Sequence, residues 1–228
     1  MLSHLRVIDL SQPLGPLTVL WPGSQPFGAE AYETHEGGDG SYTRRFATEE
    51  HAGTHLDAPA HFAADGVMVD GIDPSRLVCA AVVIDIAERC AGDPDALLEP
   101  ADIDAHEAAH GVIPAGAAVL VRTGWDAHRG DAARYVEDLR FPGVGVDAAR
   151  VLVERGAAGI GIDTLGIDAG CARDFPVHAT VTLAAGLWHL EGLVGLDALP
   201  ARGAWVVVGA IKLADGSGAP ARVLALTP

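Results

Sequence analysis

Three histidines and one aspartate fall within the eleven residues 51 to 61: His51, His55, Asp57 and His61, in the stretch H-A-G-T-H-L-D-A-P-A-H. Imidazole nitrogens and a carboxylate are the donor types that bind zinc and its first-row neighbours. Whether they act together depends on the backbone. On a helix, at about 100° per residue, His51 and His55 share a face while Asp57 lies about 120° from His51. On a strand of period two, positions 51, 53, 55 and 57 all point the same way. Gly53 and Pro59 oppose a helix interior and Thr54 favours a strand. The reading is therefore a strand, with two imidazoles and a carboxylate on one side and an empty space at Gly53 between them. Such a set suits zinc, with manganese or iron also compatible, and the two oxygens of Asp57 allow it to bridge two ions. An exposed polar strand is the plain alternative for any one histidine; the joint pattern H-x-G-x-H-x-D favours a site.

Other chemistry-bearing residues read more plainly. His106 and His110 stand four apart on an Ala-rich helix, without the intervening Glu of H-E-x-x-H, and read as surface residues. Asp163 and Asp168 flank T-L-G-I at a strand end and read as turn caps. Cys171 has no evident base beside it and reads as structural. The glycines around 159 to 166 do not make G-x-G-x-x-G, and G-x-S-x-G is absent. Neither dinucleotide binding nor a serine nucleophile is supported.

The elements that must position the cluster follow from the hydrophobic pattern. The 228 residues are 49% apolar but only 5% aromatic, enough for one domain (1–228) with a core of Ala, Val, Leu and Ile. L-V-C-A-A-V-V-I-D-I, A-A-V-L-V-R-T-G-W, A-A-G-I-G-I-D-T-L and W-V-V-V-G-A-I-K-L are continuous apolar runs of the kind buried on both faces. V-I-D-L-S-Q-P-L and Y-T-R-R-F-A-T-E-E-H read as further strands. Helices are expected over 100–110, 146–156 and around 176–186. Strands outnumber helices, which suggests a mixed α/β domain rather than a repeating βαβ unit.

A net charge of −16 argues against a nucleic-acid partner. The start lacks a basic region followed by an apolar stretch, and no run of 18 apolar residues occurs, so neither a signal peptide nor a membrane span is read. Cys79, Cys90 and Cys171 are odd in number and widely spaced, which fits reduced thiols and a cytoplasmic location.

With these residues in place the chain shows a resemblance. H-x-G-T-H-x-D-A-P-x-H resembles the metal-binding signature of the cyclase family, which includes bacterial kynurenine formamidases and isatin hydrolases. L-W-P-G-S-Q-P-F, V-R-T-G-W-D, F-P-G-V, G-I-D-T-L-G-I-D and H-x(12)-E-G-L extend it over roughly residues 5 to 225. The resemblance implies an α/β, swivelling β/β/α fold, a mixed sheet with few helices, and a homodimer or homotetramer. It also implies a hydrolase with one or two metal ions acting on a small molecule. His51, His55 and Asp57 become ligands, Asp57 bridges in two-metal members, and His61 becomes the acid/base. His178 binds the second ion and Glu191 completes the site. His178 and Glu191 stand thirteen apart here, one more than in the formamidases, and His189 lies close by. Trp21 matches an aromatic residue that faces the substrate.

The activity read from this is metal-dependent cleavage of an amide C–N bond, foremost arylformamidase: N-formyl-L-kynurenine to L-kynurenine and formate in tryptophan catabolism. Rival readings are a lactam hydrolase acting on isatin, an ester or lactone hydrolase, and a secondary-metabolite cyclase or dehydratase. From another class comes a metal-pocket binding protein without catalysis, against which the retained His61 argues.

Overall fold

The computed structural model describes residues 4–136 and 138–228. The first three residues of the stretch read for a leader lie outside that description. The chain opens with β1 (Arg6–Asp9), a hairpin of β2 (Gly28–Glu33) and β3 (Thr43–Ala47), and the short β4 (His55–Asp57). Helices then alternate with strands: β5 (Val78–Asp85), α1 (Ala87–Cys90), β6 (Leu97–Leu98), α2 (Pro100–His110), β7 (Ala118–Arg122), α3 (Ala132–Val136), β8 (Gly143–Val144), α4 (Val146–Glu154) and β9 (Gly159–Ile162). Last come β10 (Trp188–Glu191), β11 (Ala204–Ala210) and β12 (Gly218–Thr227).

Eight strands join in the order β1-β12-β11-β5-β7-β9-β10-β4, and β4 pairs again with β12. All but β1 thus close into a seven-stranded barrel. β5, β7, β9 and β10 run parallel, and the remaining pairs are antiparallel. The expectation of a mixed α/β sheet with few helices is met.

The continuous apolar runs are explained by burial on both faces. Ala81, Val83, Ala118 and Leu120 point into the barrel, while Val82, Ile84, Val119 and Val121 pack under the helices with Ile103 of α2 and Leu152 of α4. On β9 the isoleucines face the helices and the glycines face the barrel. A Cβ on Gly159 would lie 2.2 Å from the Trp188 ring, so only glycine admits that indole. Fully burying a side chain of the size of Leu152 or Ile160 contributes about 1.5–3 kcal/mol.

Local signals set the helix ends. Glu99 and Asp102 cap α2 reciprocally, and Gly111 ends it with a φ of +88°. α4 buries Ala148, Ala149 and Leu152 and ends where its apolar period does. Asp163, just past β9, accepts from the backbone N–H groups of Thr123 (2.9 Å) and Gly124 (2.8 Å) and from the Thr123 hydroxyl, the turn-capping role expected of it.

Three expectations need correction. His106 is buried beside Ile103, because positions 103 and 106 form the inward side of α2; only His110 lies on the surface. Cys171 is exposed, so it is not a packing residue. The helix expected around 176–186 is present but shorter, running over 176–182, and its last five residues, His178–Thr182, take the wider π form. Among the described residues no helix is long and apolar enough to cross a membrane.

Candidate metal centre and active site

β4 lies between β10 and β12, and this register builds the centre. His55 pairs with Glu191 and Asp57 with His189, while Leu56 pairs with Leu190. The period of two turns Leu56 and Leu190 into the core and sets His55, Asp57, His189 and Glu191 side by side on the other face. Every one of these four is buried.

His51 reaches the same place by another route than expected. The strand covers only His55–Asp57, since Gly53 adopts a left-handed φ of +64° that no strand continues through. The kink swings His51 over β12, where a Cβ on Gly218 would strike the imidazole ring. From there His51 Nδ1 lies 2.6 Å from Asp57 Oδ1, and Nε2 lies 3.1 Å from Ser217 Oγ. Convergence was expected from strand parity; a turn accomplishes it.

Pro59 starts a short 3-10 helix, Pro59–His61, which carries His61 back toward the cluster. The His61 ring stacks on His51 with centroids 3.8 Å apart. His178 comes from the π-type turn, whose wider loop takes one residue more than an α turn. The thirteen-residue separation leaves His178 Nε2 3.0 Å from Glu191 Oε1. Trp21 forms an aromatic wall with Phe175 (centroids 5.6 Å apart), and Phe175 meets Phe62 at 5.7 Å.

Asp57 is the hub. Besides His51 it faces His55 Nε2 at 3.2 Å, His178 Nε2 at 3.4 Å and His189 Nδ1 at 3.7 Å. Burial alone would raise its pKa, but hydrogen bonds from the surrounding imidazoles hold it well below the usual carboxylate range. For Glu191, burial and the charge of Asp57 push upward; hydrogen bonds from His178 and His55 overcome both and bring it to about 2. Burial opposes a charged ring at His55, yet its contacts with Asp57 and Glu191 lift it to about 10. His178 is raised in the same way, against burial, by Asp168, Asp57 and Glu191. Burial dominates at His61 and lowers it to about 4.

Two buried carboxylates thus attract protons onto adjacent rings, which is the charge balance a divalent cation provides instead. Asp57, His178, His189 and Glu191 offer donor atoms within 4.8 Å of one another, and so do His51, Asp57 and His61. The residues present fit a metal ion.

Two contributors were not assigned from the sequence. His189 stands two residues before Glu191 on an apolar strand, W-H-L-E, and that alternation was its signal. Asp168 was read as a turn cap. It does cap, accepting from the N–H groups of Val177 (2.8 Å) and His178 (3.1 Å), but it also accepts from His178 Nδ1 at 2.6 Å and so fixes that ring.

Above the cluster lies a cavity of about 330 Å³, bounded by the Trp21, Phe62 and Phe175 rings and by His51, His55, His61 and His178. Its described lining includes Glu49 but no arginine or lysine.

Residues 8–169 match the family model described as putative cyclase. The chain belongs to the cyclase family. Over 192 residues it is 38% identical to the isatin hydrolase of Roseibium aggregatum, covering 78% of this chain and 72% of that protein. A crystal structure of an isatin hydrolase bound to the product analogue thioisatinate superposes with a TM-score of 0.94 at 32% identity, over 99% of this chain and 93% of the other. Isatin hydrolase A from Ralstonia solanacearum gives a TM-score of 0.93 at 37% identity, with the same coverage. Membership and these relatives make the protein a metal-dependent hydrolase of the cyclase family.

Proposed function

We propose that this cyclase-family protein hydrolyses the C–N bond of a compact aryl-fused lactam of the isatin type. The cavity carries the reading: aromatic walls, a volume of about 330 Å³ and no arginine or lysine in its described lining, directly above the metal-fitting cluster. N-formyl-L-kynurenine brings an α-carboxylate, and the described lining holds no arginine or lysine to receive it. Its ammonium would find Glu49, but its carboxylate would be desolvated with no guanidinium or ammonium group beside it, a penalty. A neutral bicyclic lactam meets no such penalty. Arylformamidase, the foremost reading from sequence, therefore gives way to lactam hydrolysis. The similarity to isatin hydrolases supports the same choice.

In this proposal His51, His55 and Asp57 would hold one ion, and His178 and Glu191 with Asp57 would serve a second. A bound divalent cation would supply Lewis acidity, polarising a carbonyl and making water a competent nucleophile near neutral pH. Trp21, Phe62 and Phe175 hold the aryl ring, each such contact contributing about 0.5–1.5 kcal/mol beyond area burial. His61 lines the cavity beside the ligands and moves the proton. It accepts one from water as oxygen bonds to the lactam carbonyl carbon, and returns it to nitrogen as the C–N bond breaks. The products are an arylamine and a carboxylic acid that loses its remaining proton to solvent.

The test is a comparison of kcat/KM for isatin, N-formyl-L-kynurenine and a simple phenyl ester with metal-reconstituted protein. Isatin is expected to lead. A higher value for N-formyl-L-kynurenine would restore the formamidase reading. We also propose a homodimer, since Tyr32, Tyr42 and Phe46 stand exposed on a two-stranded hairpin, which is marginal alone in water. Light scattering reporting the 23.5 kDa of one chain would exclude it.

A further inference from the structure

His189 is wholly buried, and its Nδ1 has no hydrogen-bond partner. Its neighbours determine which nitrogen carries the hydrogen. Thr182 Oγ1 donates to the Val177 carbonyl at 2.9 Å and lies 2.6 Å from His189 Nε2. A hydroxyl has one hydrogen to give, so toward His189 this oxygen accepts. Nε2 therefore bears the ring's hydrogen and Nδ1 presents a lone pair.

That lone pair faces Asp57 Oδ2, itself an acceptor, at 3.7 Å. His178 is oriented toward the same space: Asp168 accepts from its Nδ1 at 2.6 Å, and Nε2 is directed at Asp57 and Glu191. Acceptors that meet in a buried space repel one another unless something positive lies between them. A water donating to both His189 Nδ1 and Asp57 is the rival occupant.

His189 also lies behind the other donors: His51, His55, His178 and Glu191 line the cavity, whereas His189 and Asp57 do not. Structural zinc sites are closed by four protein donors, and catalytic sites leave a position open.

We infer that His189 is a further protein donor of this centre: through Nδ1 it would join Asp57, His178 and Glu191 and close their ion position with four side chains. Thr182 acts as a positioning residue, holding the tautomer of His189 that can ligate. This rests on the metal-centre part of the proposed function and is independent of the choice of substrate.

The experiment is a Co²⁺ titration of the metal-stripped full chain, followed by calorimetry and visible absorption with no substrate present. The wild type should bind one tight equivalent with the intense bands of four-coordinate cobalt. His189→Ala should lose the intense bands and weaken the tight equivalent at least about a hundredfold. Thr182→Val keeps the ring but removes the acceptor for Nε2–H, and should weaken that equivalent about ten- to a hundredfold. His51→Ala should leave the intense bands intact. Unchanged bands and affinity in His189→Ala overturn the inference and assign the space to water. If His189→Ala does not fold, Thr182→Val decides, and unchanged tight affinity overturns it. Failure of lactam hydrolysis leaves these outcomes standing, and loss of the cobalt result leaves the substrate assignment standing.

Discussion

Asp57 and Asp163 are equally buried in the same barrel and are held in opposite ways. Asp57 sits among imidazoles, and hydrogen bonds from His178, His51 and His55 keep it ionised against the cost of burial. Asp163 is met by the Thr123 hydroxyl and two backbone N–H groups, dipoles without charge, and burial raises its pKa to about 6 despite them. Depth alone therefore does not decide the state of a buried carboxylate; the kind of partner does. One arrangement stores negative charge where a cation belongs. The other clamps the turn that leads into the buried Trp125.

The strongest way to break this contrast is Asp57→Asn. Removing the hub's charge should abolish stoichiometric metal by elemental analysis and lower kcat/KM by at least about 10³. A variant that keeps both would show that the imidazoles, not the carboxylate, organise the centre.

His61→Ala touches the same neighbourhood without altering the hub. Metal content should persist while kcat/KM falls about a hundredfold or more, the scale of a general acid/base. Metal lost in proportion to activity would make His61 a ligand through its group with His51 and Asp57.

Asp163 gives the pH arm. Its folded pKa of about 6 lies above the ordinary 3.8, so its stabilising contribution is complete below about pH 4 and disappears as pH rises through 6. At about 1.36 kcal/mol per unit, the wild type should lose about 3 kcal/mol more between pH 4 and 7 than Asp163→Asn does. Urea unfolding at a series of pH values measures the difference. Parallel profiles would remove Asp163 from the comparison.

Trp21→Ala is the smallest change expected and sharpens the rest. It lies on the cavity wall away from both carboxylates, so KM should rise about three- to tenfold with kcat, metal content and the pH profile little altered.

The cluster is legible in sequence where local rules suffice. His55 and Asp57 share a face because a strand alternates, and that holds. The same rule fails at His51, because Gly53 takes a left-handed conformation that a glycine permits but does not announce. His178 and Glu191 were placed by resemblance, and the register of β10 with β4 shows why Glu191 meets His55. His189 and Asp168 were undervalued because their partners, Thr182 and His178, come close only through the π-type turn. The apolar runs gave β5, β7, β9 and β11 readily. β12 was not among the strands read from the sequence; its Pro220 stands where the strand passes from β4 to β11. Barrel closure depends on that passage, a contact between distant segments that no local pattern encodes.

β4 pairs with β12 through Gly218↔Asp57 and Pro220↔His55. The ribosome makes His55 and Asp57 early and their neighbouring strand about 160 residues afterwards, on the order of ten seconds or more at ordinary elongation rates. During that interval the chelating side chains exist without a pocket, and a metal they meet would be held no better than by any unfolded stretch of histidines. Loading thus follows closure of the barrel. The ion that finally occupies the centre is drawn from the pool the finished fold encounters, rather than from whatever first touched the nascent chain.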